Sequence, residues 1–332
     1  AGCRNSGSCN TFVGYEAGRF NCEAVRVTAL GYQAVGGSTG TKSAGNLVAV
    51  GFAALCQNTT GSGGTAVGYQ AMQSNTSGCL SIGLGQAALY SNTTGNFNIG
   101  IGTSAGFSNI TGHCNIHIGY NAGKGNCTGH CNISIGQHAA CNGNGVGCNY
   151  AIGTCTLFCN VSGNNNVMLG NQAGQHTNSC NNTGVGHITF HCNQTGILNA
   201  SFGSHSLYNN TTGNYNTGLG ACAMEANTTG QQNTALGYQA LVDSTTGSCN
   251  VSIGAFSSFC NCTGCFNVAV GRTALRNNTC SRNVGIGYAS GYNGSTATGI
   301  VGVGSETLFQ NITGGQNTAI GYRALYYANA GE

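Results

Sequence analysis

The chain has 332 residues, of which nine are basic and six acidic, for a formal net charge of +3. It holds no basic block for nucleic acid, no basic amphipathic helix and no apolar run long enough to cross a bilayer. Length alone suggests about two globular domains, but the sequence is one phrase rewritten end to end.

Residues 1–9 read as an N-terminal edge or cap. From Asn10 the core Asn-x-x-apolar-Gly recurs, with starts at 10, 27, 47, 64, 81, 98, 115, 132, 149, 166, 182, 199, 216, 233, 250, 267, 283, 300 and 317. Fifteen of the eighteen spacings are 17 residues, two are 16 and one is 20, so residues 10–332 form a single repeat array. A short fixed period marks a solenoid, in which each repeat packs on its neighbours. The expected fold is all-β, a parallel β-solenoid of about nineteen 17-residue rungs.

Counting the core asparagine as position 0, position 3 is apolar and position 4 is glycine in every rung. Position 1 is mostly β-branched and position 2 mostly Gly, Ala or Ser, the alternation of a half-buried strand. Position 7 is always Ala, Ser or Thr, and position 8 is often Leu or Met. The pattern predicts strands at positions 0–3 and 5–8, a bend at the glycine, position 3 side chains inside, and a loop of Asn-Thr-Thr-Gly type. Proline is absent, as stacked strands require. At ~4.8 Å per rung the array predicts a rod of roughly 90 Å. Fourteen rungs begin with asparagine, which predicts an amide ladder. Tyr15, Tyr32, Tyr69, Tyr120, Tyr238, Tyr288 and Tyr322 share position 5 and predict a second, structural column.

Asn-x-Ser/Thr recurs at position 11, on Asn58, Asn75, Asn92, Asn109, Asn126, Asn160, Asn193, Asn210, Asn227, Asn261 and Asn311, with Asn293 one residue earlier in its rung. One turn position repeated predicts a solvent-facing row of covalent N-glycans. Asn132, Asn199 and Asn250 also match the motif but sit at position 0, where a ladder amide is occupied and stays bare. The glycan row is the expected shield for a rod so poor in charge.

Twenty cysteines are scattered along the array, a pattern that favours disulfides over metal. The candidates are Cys114, Cys131 and Cys148 in one column, Cys249 and Cys265 nearly in phase, and Cys260, Cys262 and Cys280. Sequence leaves the pairing open. With the sequons they predict a secreted chain or one at the surface of a cell or virion. No signal peptide is visible, and a start at Ala1 predicts a processed chain or a fragment.

Chemistry is scarce. None of the six acids stands beside another in one column, so general acid–base catalysis lacks a pair. His187 with His191, or His113 with His130, lacks a third metal ligand. The glycine-rich turns lack a P-loop lysine. A non-enzyme without cofactor, catalytic residue or metal is expected.

The cores "NTAIG", "NVSIG", "NVAVG", "NISIG" and "NTALG" resemble the head repeats of trimeric autotransporter adhesins, the YadA-like heads, and repeats of phage and viral fibre proteins. The resemblance covers essentially the whole chain. It implies a left-handed β-roll, three chains side by side, and surface attachment. This chain has longer rungs, more cysteines and sequons, and neither a coiled-coil stalk nor an anchor barrel. Two functions follow as expectations: a structural subunit of a glycan-coated extracellular filament, self-associating head to tail or as a homotrimer, or an adhesin or virion fibre recognising a surface. The only insertion is three residues, within 36–46, and that uniformity favours the filament.

Overall fold

The computed structural model describes residues 2, 6–20, 23–36 and 44–327. Parts of the expected N-terminal cap (1 and 3–5), most of the insertion (37–43) and the last five residues, including the carboxylate of Glu332, lie outside them. The described chain is all-β, with one short strand per repeat and no helix. It comprises two compact units, residues 1–166 and 167–332.

The first unit holds nine strands: β1 (Thr11–Val13), β2 (Val27–Leu30), β3 (Leu47–Val50), β4 (Thr65–Val67), β5 (Ile82–Leu84), β6 (Ile99–Ile101), β7 (Ile116–Ile118), β8 (Ile133–Ile135) and β9 (Tyr150–Ile152). Each pairs in parallel with the next, equivalent residue on equivalent residue, as Thr65↔Ile82 and Ile99↔Ile116 show. The second unit repeats this with β10 (Val167–Leu169), β11 (Thr183–Val185), β12 (Ala200–Phe202), β13 (Thr217–Leu219), β14 (Thr234–Leu236), β15 (Val251–Ile253), β16 (Val268–Val270), β17 (Val284–Ile286), β18 (Val301–Val303) and β19 (Thr318–Ile320). Its pairs are likewise in register, Leu219 beside Leu236 and Leu236 beside Ile253. Each unit is a parallel β-solenoid.

Two local expectations are corrected. Positions 5–8 are not a strand but a run of turns, because positions 6 and 8 adopt left-handed backbone: Gln70 and Met72 have φ of 55° and 50°, Gln239 and Leu241 of 53° and 52°. Left-handed residues reverse successive peptide groups, so N–H groups point alternately to the rung on either side. Gln70 donates back to the Phe52 carbonyl at 2.8 Å and Met72 forward to Ala88 at 2.9 Å. The rungs therefore stay hydrogen-bonded where strand geometry ends.

The second correction concerns the direction of the strand side chains. Position 2 is buried and positions 1 and 3 face out, as the burial of Thr65-Ala66-Val67 and Thr234-Ala235-Leu236 shows. The interior at that level is already filled from position 8: Leu55, Met72 and Leu89 in the first unit, and Leu207, Met224, Leu241, Leu275 and Leu308 in the second, are fully buried. Only Gly, Ala or Ser fits opposite them in most rungs, so the larger residues of the alternation point outward.

The bend at position 4 is glycine for a steric reason. Gly237 has φ of 139°, and a Cβ there would lie 2.7 Å from the Gly254 carbonyl carbon and oxygen of the next rung. No other residue tolerates both the torsion and the approach.

Candidate functional site

Three surfaces recur along the array: the outward strand face, the position 5 column and, on eleven rungs, the Asn-x-x-Gly corner. The strand face presents Leu30, Val67, Ile101 and Ile152 in the first unit and Phe202, Leu219, Leu236 and Ile286 in the second, all exposed. Leu219 and Leu236 are 45% and 41% accessible on adjacent strands, a continuous apolar surface rather than scattered residues.

The position 5 column is exposed too. Tyr15, Tyr32, Phe52 and Tyr69 stack face to face with centroids 5.4, 5.1 and 5.2 Å apart. A separate column in the second unit runs Tyr292, Phe309, Tyr326 at 4.9 and 5.0 Å. Sequence reading found the first and missed the second, whose members at position 9 are signalled only by their common phase.

The corner overturns the glycan expectation. Asn58, Asn75, Asn92, Asn109, Asn126, Asn160, Asn193, Asn210, Asn227, Asn261 and Asn311 are all buried, none more than 3% accessible. Asn75 Nδ2 donates to Asn58 Oδ1 at 2.8 Å and to the Gly78 carbonyl at 2.9 Å. Asn227 Nδ2 does the same with Asn210 Oδ1 and the Gly230 carbonyl, at 2.7 and 3.2 Å. Where the ladder runs, both amide hydrogens are in use inside the protein, and at all eleven positions burial leaves no room for a sugar. Asn293, half-buried, is the exception, with its Oδ1 accepting from Asn277 Nδ2 at 2.8 Å. The informative spacing was Asn-x-x-Gly, not Asn-x-Thr: a Cβ on Gly61 would lie 2.7 Å from Asn58 Oδ1 and 2.8 Å from Asn75 Nδ2.

The position 0 ladder is present as expected. Asn115 N–H donates to Asn98 Oδ1 at 3.0 Å, and Asn216 N–H to Asn199 Oδ1 at 2.8 Å. Asn132, Asn199 and Asn250 are buried members of it.

The disulfide candidates are corrected as well: Cys114, Cys131, Cys148, Cys249, Cys260, Cys262, Cys265 and Cys280 are free thiols. In-register stacking holds equivalent Cβ atoms about one strand spacing, ~4.8 Å, apart, whereas a disulfide draws them to about 3.8 Å. Cys249 and Cys265 differ by one place in their rungs, and Cys265 Sγ instead accepts the Ser248 N–H at 3.3 Å.

Among the titratable groups, Glu16 pairs with Arg19, and Glu306 with Arg323 at 2.6 Å. Sequence reading missed that Glu225 and Asp243, one place out of phase on adjacent rungs, come close. Burial and then the Glu225 charge raise the Asp243 pKa, while burial and a hydrogen bond to Glu225 push the Cys222 thiol up to about 11. Four histidines, His176, His187, His191 and His205, also cluster with Tyr208, centroids 4.9 to 5.7 Å apart. Among the described residues no three His, Cys, Asp or Glu are placed to hold one metal ion.

One surface cleft departs from the repeat. Phe256, Arg272, Thr273, Arg276, Tyr288 and Tyr292 line a volume of about 350 Å³ in the second unit. Arg276 lies over the Phe259 ring at 5.0 Å and donates to Tyr292 Oη at 3.0 Å. No protein-family model, curated protein or solved structure matches the chain.

Proposed function

We propose that the chain is a non-catalytic structural subunit that works by self-association, as a fibre element or side-by-side oligomer at an extracellular or virion surface. The observation that carries this reading is the outward strand face. A repeated row of exposed Val, Ile, Leu and Phe is larger than the scattered apolar residues of a typical monomer surface. A second copy of the same repeat offers a matching row at the same rung interval. The resemblance to YadA-like heads and viral fibres points the same way. The glycan coat is not part of this reading, because its asparagines are buried.

Replacing Leu219 and Leu236 with lysine tests the proposal, since both side chains are exposed and the fold does not need them inside. Light scattering on a sizing column is expected to show an oligomer for the native chain and a monomer for the double variant. Equal masses, both monomeric, would remove the basis of the reading.

The Arg272–Arg276 cleft favours the second reading, a surface-binding module. An aromatic cleft with two guanidinium groups suits an anionic polymer such as a sulfated glycan. Binding of a heparin-like chain that Arg272→Ala abolishes would place recognition ahead of structure.

A further inference from the structure

In the first unit, Cys114, Cys131 and Cys148 hold the same place in three successive rungs, the residue before the ladder asparagine. All three are exposed free thiols. They share left-handed backbone, with φ of 57°, 58° and 56°. Their N–H groups donate to the carbonyls of Asn96, His113 and His130, each at 3.0 Å, which locks the register. Equal torsions in equal register make the three Cα–Cβ bonds parallel, so the Cβ atoms repeat about 4.8 Å apart, and equal rotamers set the three sulfurs at the same interval. The rings of His113 and His130, one residue earlier, stack 5.1 Å apart at 8°, so side chains of this turn do repeat at the rung interval.

That interval is too long for a sulfur–sulfur bond, but it matches another bridge. A thiolate–metal bond of about 2.3 Å, as in zinc sites, makes a linear sulfur–metal–sulfur unit about 4.6 Å long. Soft ions, copper(I) above all, select thiolate ligands. We propose that the row Cys114–Cys131–Cys148 binds two monovalent coinage-metal ions, each two-coordinate between neighbouring thiolates, with the Cys131 sulfur turned out of line so that it bridges both at a bent angle.

The surroundings fit two-coordinate binding. His113 Nδ1 accepts the Asn96 N–H at 2.9 Å, and His130 Nδ1 accepts the His113 N–H at 3.0 Å. With that lone pair occupied, the neutral imidazole carries its proton on Nε2 and offers no ligand atom. A tetrahedral ion would need further ligands, and no three-ligand group is present among the described residues. Two ions displace three thiol protons, giving a bridged M₂(SR)₃ unit of charge −1. No electron moves and no co-reactant is needed.

The test uses the full chain, reduced and kept free of oxygen. It is titrated with copper(I) held by a competing chelator, and retained ions are counted by native mass spectrometry. Silver(I) serves as a redox-inert repeat. The native chain is expected to retain two more ions than Cys131→Ser and one more than Cys148→Ser. Cys9→Ser, an exposed cysteine with Arg26 at its place in the next rung, is expected to match the native chain. Equal ion counts for the native chain and Cys131→Ser would overturn the proposal. The pair Cys114→Ser with Cys148→Ser leaves Cys131 in place and must also lose both ions. Retention of either ion by that variant would overturn the proposal equally.

Discussion

His117 sits at position 2, where most rungs carry Gly, Ala or Ser, and it is fully buried. The room comes from position 8. Gly106 and Gly123 replace the usual Leu or Met, and a Cβ on them would lie 2.9 Å and 2.0 Å from the imidazole ring. Phe12 with Gly18 and Met168 with Gly174 repeat the exchange. Gly123→Leu alone is therefore expected to overpack, and His117→Gly alone to leave a void, each costing about 2 kcal/mol. The double variant restores the residue types of the rung that holds Gly83 at position 2 and Leu89 at position 8, and is expected to recover most of that loss in a denaturant titration; additive losses would refute the shared space. Burial also lowers the His117 pKa from 6.5 to about 4, with both ring nitrogens unpartnered. Protonation then favours the unfolded chain. Stability is complete above pH 6.5 and falls by about 1.4 kcal/mol per pH unit toward pH 4, about 3 kcal/mol in all. His117→Ala should abolish that part of the acid sensitivity; an unchanged profile would show that His117 is not its source.

At the scale of the rung, the asparagine corners do what a continuous sheet does elsewhere. Where a ladder is unbroken, each amide joins its neighbour above or below and a backbone carbonyl, satisfying polar groups that turns would otherwise bury unpaired. The position 11 ladder is interrupted at Asn126, whose amide turns to Gly129 on both its atoms, and at Ser244, whose hydroxyl is too short to reach. Asn227 Oδ1 and Ser244 Oγ are both buried without a partner. Ser244→Asn is expected to donate to Asn227 and raise stability by about 1 kcal/mol, read as a higher unfolding midpoint. A lower midpoint would mean that the corner at Ser244 has a different shape. The same geometry predicts that expression in a glycosylating host leaves the eleven buried sequons bare, which peptide mass spectrometry would check. Sugar on Asn75 or Asn210 would contradict the ladder.

For the molecule as a whole, the period, the parallel register, the glycine bend and the position 0 ladder were legible, because each is a repeated residue with one steric or hydrogen-bonding use. The direction of the strand was not. Alternation at positions 1 to 3 defines two faces, but which face is inside depends on what the rest of the rung delivers. Here Leu and Met at position 8 fill the interior across the turn, and a left-handed Leu241 or Leu275 leaves no local signal in its residue type. The sequons misled for a related reason: Asn-Thr-Thr-Gly reads as an exposed turn, while its asparagine faces inward to the next rung. The apolar outward face that results is the feature on which the functional reading stands.

Hydroxyl-radical footprinting across a concentration series tests that reading most directly. It reports solvent access at Leu219, Leu236 and Ile286 one side chain at a time. Self-association predicts that these residues become protected as concentration rises, while Tyr238 and Tyr288 in the neighbouring column serve as a comparison within the same rungs. Full reactivity of all three at every concentration, equal to that of the Leu219→Lys/Leu236→Lys monomer at Ile286, would contradict it.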